Sequence, residues 1–317
     1  MIEDALVALK NGGLVAFPTE TVYGLGADAA NKHAVMKLYA AKNRPAFNPL
    51  IVHCASVEQM REYCAWDDRA EALANAFMPG PLTIIVQRWP WGKFPEPDAP
   101  SVSEEACAKL PTIALRMPDH PVALELIQKY GKPIAAPSAN PSGMLSPTRA
   151  EHVRQHLGDV VDVILEAPNP CRIGLESTIV DISMRGSGWE LLRQGAISQE
   201  GIEAVLKMPP FPKDEKIRSP GQLLRHYTTH KDLVLDVTEP LPEDALLVFG
   251  VAPHPAPRHT LNLSPESNLE EAASRLFAYL HLLDKTDAKR IAVMPIPEQG
   301  IGVAINERLR RGAFRPY

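Results

Sequence analysis

The chain has 317 residues, 45% of them hydrophobic and 22% charged, with a formal net charge of -5. That composition belongs to an ordinary folded globular protein, and the length suits two domains rather than one core. The negative balance argues against a general coat for nucleic acid, although a local basic groove stays open.

The four cysteines, Cys54, Cys64, Cys107 and Cys171, form no C-x-x-C pair, so reduced thiols and no zinc site are expected. The Met1 region is acidic and amphipathic, unlike a signal peptide, and no apolar run approaches membrane-spanning length. A cytoplasmic enzyme or binding protein is the expectation.

In chain order, Ile2 to Lys10 carries a helical stripe (Ile2, Ala5, Leu6, Leu9) closed by Asn11-Gly12-Gly13. Leu14 to Phe17 reads as a buried strand. It runs into Pro18-Thr19-Glu20-Thr21-Val22-Tyr23-Gly24-Leu25-Gly26. Hydroxyls and a carboxylate at a strand end suit a ligand site, and the two glycines are expected to let the backbone turn tightly or approach a ligand. Glu20 reads either as a structural anchor or as a charge partner for Lys42 or Arg44.

Lys32 to Lys42 is a predicted helix ending in Lys42-Asn43-Arg44-Pro45. Those cations either complement a helix C-terminus or converge on phosphate. Leu50 to Val52 is a strand with His53 at its end, a place where a histidine is usually structural. Ser56 with Gln59 makes a capping box, and Asp67 to Phe77 is a helix. Leu82 to Gln87 is a strand. Trp89 to Leu110, rich in proline, reads as a long surface loop that would serve as a lid.

Thr112 to Arg116 is a strand whose terminal arginine would be costly to bury unpaired, so it should face a ligand carboxylate or an acidic side chain. Pro133 to Ala136 is a strand leading into the stiff loop Pro137-Ser138-Ala139-Asn140. Ser146 or Thr148 should open the next helix, a plausible phosphate seat, with His152 and His156 on its solvated face. Val161 to Leu165 and Ile179 to Ile182 are strands, with Trp189 to Arg193 returning as a hairpin partner.

Met208 to Lys231 has linker composition, yet Ser219-Pro220-Gly221 through Arg225-His226-Tyr227 is too specific for a bare spacer and should pack back on something. From Leu233 onward, short strand runs alternate with helices at Leu269 to Leu283 and Ile301 to Arg311, a small α/β unit. Neither G-x-G-x-x-G nor G-x-x-x-x-G-K-[ST] occurs there, so a Rossmann or Walker nucleotide site has no support.

Phe17 to Leu25, Lys42-Asn43-Arg44-Pro45, Pro49 to His53, Pro79-Gly80-Pro81-Leu82-Thr83, Pro137 to Asn140, Leu175-Glu176-Ser177-Thr178-Ile179 and Arg193-Gln194-Gly195 stand in the order seen in threonylcarbamoyl-AMP synthases. The chain resembles that family's long, two-domain form along essentially its whole length. One departure is the linker, which reads Gln222-Leu223-Leu224 where a more polar or aromatic stretch is expected.

The resemblance implies an α/β fold: a twisted mixed sheet with a concave, positively charged cavity, linked to a smaller Rossmann-like α/β domain. It divides the chain into 1–207 (catalytic), 208–231 (a linker packing on the site) and 232–317. It implies adenylyl transfer, in which L-threonine, bicarbonate and ATP give threonylcarbamoyl-adenylate and pyrophosphate. The product serves threonylcarbamoyl-adenosine formation beside the anticodon of tRNAs reading codons that begin with A.

By the same resemblance Thr21, His53, Arg116 and Ser177 would hold L-threonine. Lys42, Arg44, Asn48, Thr112, Ser138, Asn140, Ser146, Arg193 and Tyr227 would hold ATP, with Lys42 and Arg44 the catalytic pair. Mg2+ would arrive with ATP and need few protein ligands; no other metal and no tightly bound organic cofactor is implied. A downstream tRNA threonylcarbamoyl transferase complex would take the product, and direct tRNA binding stays open. Two other readings remain at this stage. One is a carbamoyl-adenylate-forming carbamoyltransferase, whose usual extra domains are not evident. The other is a non-enzymatic RNA-binding module, which the net charge disfavours.

Overall fold

A computed structural model describes residues 1–89, 101–168, 171–184, 188–211 and 226–314. The core of the long proline-rich loop, the turn around Gly186 and the linker through Arg225 lie outside the described residues. Among those described, the first nine strands are β1 (Val15–Phe17), β2 (Gly24–Asp28), β3 (Ile51–His53), β4 (Leu82–Gln87), β5 (Thr112–Arg116), β6 (Ile134–Ala135), β7 (Val163–Ile164), β8 (Thr178–Asp181) and β9 (Glu190–Arg193). They form one mixed sheet in the order β7-β1-β2-β6-β3-β5-β4-β8-β9. The pairs β1/β7, β3/β5 and β4/β8 are parallel and the other neighbours antiparallel.

Side chains alternate across a strand, and that period of two divides the sheet's work. Val52, Ile84, Val86, Ile113, Leu115 and Val180 face the main core beneath helices Lys32–Ala41 and Asp68–Phe77. Their neighbours Ile51, Ile85, Ala114 and Ile179 join Leu192 in a small apolar patch on the other face. Helices Ile2–Lys10 and Pro121–Tyr130 cover that sheet at its β1/β6 end only. The patch under β3, β5, β4, β8 and β9 is thus the floor of a concavity.

The second unit holds β10 (Asp232–Val234), β11 (Ala245–Val248), β12 (His259–Asn262) and β13 (Arg290–Val293) in an all-parallel sheet ordered β10-β13-β11-β12. Helices Leu269–Asp284 and Ile301–Ala313 cover it, and Val22, Leu145 and Leu175 of the first unit join its core. The expected mixed sheet linked to a smaller α/β unit is the observed fold, and the smaller sheet is parallel.

Several local expectations change. Gly24 and Gly26 do not turn the chain; they lie in β2. A Cβ on Gly26 would stand 2.7 Å from Ile134 and 2.8 Å from Phe17, so these positions make room for the Phe17 ring. Thr148 does not cap helix Ala150–Leu157, whose first residue follows Arg149 with no side-chain cap. His152 is buried rather than solvated, and its ring stacks on His281 of the second unit at 4.1 Å. The linker's first described residues close over Trp189, whose indole donates to Met208 O at 2.9 Å.

Candidate active site

Strands β3 and β5 run side by side, and their last residues, His53 and Arg116, are in register. Both project on the floor side. Arg116 Nη2 donates to Glu20 Oε1 at 2.7 Å and to Thr21 Oγ1 at 2.8 Å. Glu20 is therefore the partner of Arg116, not of Lys42 or Arg44.

Proton accounting orders the rest of this group. Thr19 Oγ1 donates to Val22 O at 2.6 Å, so in the 2.8 Å contact between the two hydroxyls Thr21 must be the donor. Thr21 is then left to accept from Arg116. Arg116 Nε and Glu20 Oε2 are buried without partners. An orphaned guanidinium N–H in a cavity is a costly vacancy that an anion would fill.

His53 Nδ1 donates to Ile51 O at 3.2 Å, since a carbonyl can only accept. Burial, and then the Arg116 charge, pull its pKa down to about 3, so the imidazole is neutral at physiological pH.

The opposite wall carries cations. Lys42 follows helix Lys32–Ala41 and is 1% exposed. Its ammonium donates to the carbonyls of Ser138 and Asn140, tying the Pro-Ser-Ala-Asn loop to the helix end. Burial and the nearby Arg44 hold its pKa well below the ordinary lysine value. Asn43 takes φ 50, a left-handed conformation that asparagine tolerates, and the turn folds Arg44 back. Arg44 then donates to Asn48 O at 3.2 Å and to Pro49 O at 3.0 Å.

Arg193, on β9, donates to Ser177 O at 2.9 Å and Ser177 Oγ at 3.0 Å, and Ser177 Oγ meets Thr83 Oγ1 at 2.7 Å. Burial lowers the pKa of both Arg44 and Arg193 to about 10, with Arg193 adding to the effect on Arg44. Both stay charged at neutral pH.

Glu176 completes the wall. It accepts from the Ser146 hydroxyl on one oxygen and from Arg308 Nε at 3.2 Å on the other. Burial would raise its pKa, but Arg308, then Arg193 and the Ser146 bond, hold it down to about 2.

Thr19, Val22, Tyr23, Arg44, Ile51, His53, Arg116, Ser138, Glu176, Arg193 and His226 thus enclose one cavity, with Lys42 bonded to Ser138 and Glu20 to Arg116 outside that lining. Its two acidic side chains, Glu20 and Glu176, are each committed to an arginine. Arg44 and Arg193, charged at neutral pH, hydrogen-bond only neutral oxygens among the described residues, so this wall suits an anion.

The expected residues do not all meet here. Asn48 and Asn140 stand beside it, each with a buried side-chain oxygen lacking a partner. Thr112 lies four residues before Arg116 on the same face of β5, roughly 13 Å along the strand, and does not line the cavity. Tyr227 packs into the second unit against Phe277 at 5.3 Å, while its neighbour His226 faces the cavity. Thr19, Thr83, Glu176 and Arg308 escaped the sequence reading. The signal for Glu176 was a carboxylate entering a buried strand, which demands a counter-charge. The counter-charge lies 132 residues later and leaves no local trace.

Two family models match the chain: one described as "Telomere recombination" over residues 7–195, and one described as "Threonylcarbamoyl-AMP synthase, C-terminal domain" over residues 197–313. The threonylcarbamoyl-AMP synthase of Bacillus subtilis is 38% identical, spanning 98% of this chain and 92% of its own length. The threonylcarbamoyl-AMP synthase of Pyrococcus abyssi is 36% identical, spanning 96% of this chain and 92% of its own length. The crystal structure of P. abyssi Sua5 complexed with L-threonine superposes with a TM-score of 0.85 at 35% identity, over 98% of this chain and 94% of that one. This chain therefore belongs to the threonylcarbamoyl-AMP synthase family and is an enzyme of that class.

Proposed function

We propose that the cavity makes L-threonylcarbamoyl-adenylate with its two ends divided between the substrates. At the Arg116 end, the threonine carboxylate takes the orphaned Arg116 Nε–H, with Thr21, neutral His53 and Ser177 orienting the rest of the amino acid. Its amine adds to the carbon of CO2, or of bicarbonate with loss of water, giving a carbamate. At the other end Lys42, Arg44 and Arg193 hold the phosphates, with Asn48, Ser138, Asn140 and Ser146 on the nucleotide side and Thr112 farther out along the floor strand; Tyr227, packed on Phe277, serves that end through its neighbour His226, which faces the cavity. A carbamate oxygen attacks the α-phosphorus, and the bond to the β-phosphate oxygen breaks to release pyrophosphate.

No nucleophilic side chain is needed. Positioning and charge stabilisation of the developing phosphate charge do the work. The observation that carries this reading is the pairing pattern: both carboxylates at the cavity are bound to arginines, while the buried Arg116 Nε has no partner among the described residues and Arg44 and Arg193 bond only neutral oxygens. An L-threonine complex of the P. abyssi relative supports it.

Because Glu20 and Glu176 are occupied, an Mg2+ arriving with ATP would be held chiefly by phosphate oxygens, and it would supply charge neutralisation there. We assign the product to a tRNA threonylcarbamoyl transferase, and the enzyme to the cytoplasm where that tRNA is modified. No helix among the described residues is long and apolar enough to cross a membrane.

The test is mass spectrometry of a mixture with ATP, bicarbonate and L-threonine. Threonylcarbamoyl-adenylate must form, and must vanish without threonine. Carbamoyl phosphate replacing threonine and bicarbonate as the productive substrate would refute the reading.

A further inference from the structure

Arg308 sits on helix Ile301–Ala313 of the second unit and is 2% exposed. Its Nε reaches Glu176, its Nη1 donates to Glu307 at 3.0 Å, and its guanidinium carbon lies 5.8 Å from the centre of the Tyr227 ring. A buried ion pair is a poor way to glue two domains. Desolvation offsets most of the attraction, and apolar residues of similar volume would serve as well. Around it the seam is in fact apolar, with Val22, Leu145 and Leu175 set into the second core. The charge at this point calls for another explanation, and Glu176 lines the cavity beside Arg193.

We infer that Arg308 is a positioning residue of the synthase site, contributed by the second unit. It holds the Glu176 carboxylate turned toward the seam, which leaves Arg193 for phosphate and fixes the Ser146 hydroxyl at the nucleotide end. This rests on the assignment of the cavity given above. Without Arg308, the remaining close cation for Glu176 is Arg193. The carboxylate then competes with ATP for that guanidinium and sets a bare negative charge against the phosphates. The threonine anchor, Arg116, has its own carboxylate in Glu20 and shares no hydrogen bond with Glu176. The loss therefore falls chiefly on ATP, and Ser177, which Arg193 also bonds, carries only a smaller effect to threonine.

The experiment measures threonine-dependent pyrophosphate release by the full chain, with each substrate varied in turn and thermal melting recorded in parallel. Arg308→Met should raise the KM for ATP about tenfold or more and leave the KM for threonine within about threefold, since stripping the partner from a buried charge is costly. Adding Glu176→Gln to Arg308→Met removes the stranded charge and should bring the ATP KM back to within about threefold of wild type. Arg308→Lys keeps the charge and should stay near wild type, so it and the double variant carry the test if Arg308→Met does not fold.

An equal rise in both KM values, a lower melting point with both KM values unchanged, or a double variant no better than Arg308→Met would each overturn the inference. So would Arg308→Lys impairing both substrates alike. If instead Lys42→Ala and Arg44→Ala keep wild-type rates, the assignment of the cavity itself has failed, whatever Arg308 does.

Discussion

The two sheets of this protein spend their burial differently. In the four-stranded sheet, β11 is buried throughout as Ala245-Leu246-Leu247-Val248, and helices complete the core above it. In the nine-stranded sheet, β3 and β5 are equally buried, yet each ends in a charged or titratable side chain, His53 and Arg116. The four-stranded sheet packs Ala245 and Leu247 under its helices and Leu246 and Val248 against Val237 and Met294 on the other face, so apolar side chains serve both faces. A sheet with one uncovered concave face can bury polar groups there, provided they are satisfied or a ligand satisfies them. The first sheet builds a site; the second builds a core, and a helix packed on it carries the buried Arg308 to the seam.

Four experiments would break or sharpen that contrast, from the largest effect to the smallest. Lys42→Ala or Arg44→Ala should cut threonine-dependent pyrophosphate release by about a hundredfold or more, because phosphate charge stabilisation is lost while Arg44 contributes little to the core. A folded variant with wild-type rates would deny the first sheet its role.

Arg116→Met strands Glu20 in the interior and should cost about 3–5 kcal/mol of stability in addition to threonine binding. The Glu20→Gln/Arg116→Met pair should recover stability in urea unfolding without recovering threonine binding. If both return together, Arg116 serves the fold only.

Leu247→Ala, in the fully buried β11, should cost about 2–5 kcal/mol through the cavity it leaves. Well below its melting point it should keep wild-type KM values for both substrates, and a raised KM in the folded variant would contradict the division between sheets. Gly26→Ala pushes a methyl against Phe17 and Ile134 and should cost about 1–3 kcal/mol by overpacking, measurable as a lower melting temperature. No change would restore the reading of Gly26 as a flexible turn.

A pH effect separates the regions as well. His53 and His226 at the cavity have pKa values lowered to about 3, and at the seam His152 is lowered to about 3 and His281 to about 4, in each case by burial first. An unfolded histidine binds a proton below about pH 6.5, and the folded protein excludes it, so stability is complete above 6.5 and falls as pH drops toward 3–4. Each such group contributes up to about 1.4 kcal/mol per pH unit across that window. Glu176 has the depressed carboxylate pattern, so its contribution persists down to about pH 4 and disappears toward pH 2. Urea midpoints at pH 7.5 and 5.0 should therefore differ, and His281→Gln should lessen the difference. A midpoint independent of pH would contradict the burial of these rings.

Much of the fold was legible because it rests on local signals. Thr112–Arg116 and Leu82–Gln87 have the bounds their apolar runs predict, Ser56 caps its helix as the capping box with Gln59 predicts, and Gly131 ends its helix in a left-handed conformation. Arg116 was also legible as a charge needing a partner. What could not be read was pairing at a distance. The local sequence leaves Glu20 between two roles because Arg116 lies far along the chain, and it cannot show that Ile134 crowds Gly26 from another strand. His152 was assigned to solvent because its cover, His281, belongs to the other unit. The motif order located the site; only the three-dimensional arrangement distinguishes the paired charges from the available ones.

The division of the cavity into an amino-acid end and a phosphate end is tested most directly by calorimetric titration of Arg44→Ala with L-threonine and with ATP separately. The variant should bind L-threonine with an affinity within about threefold of wild type and lose ATP binding by tenfold or more. Loss of threonine binding together with ATP, or retention of both, would contradict the account.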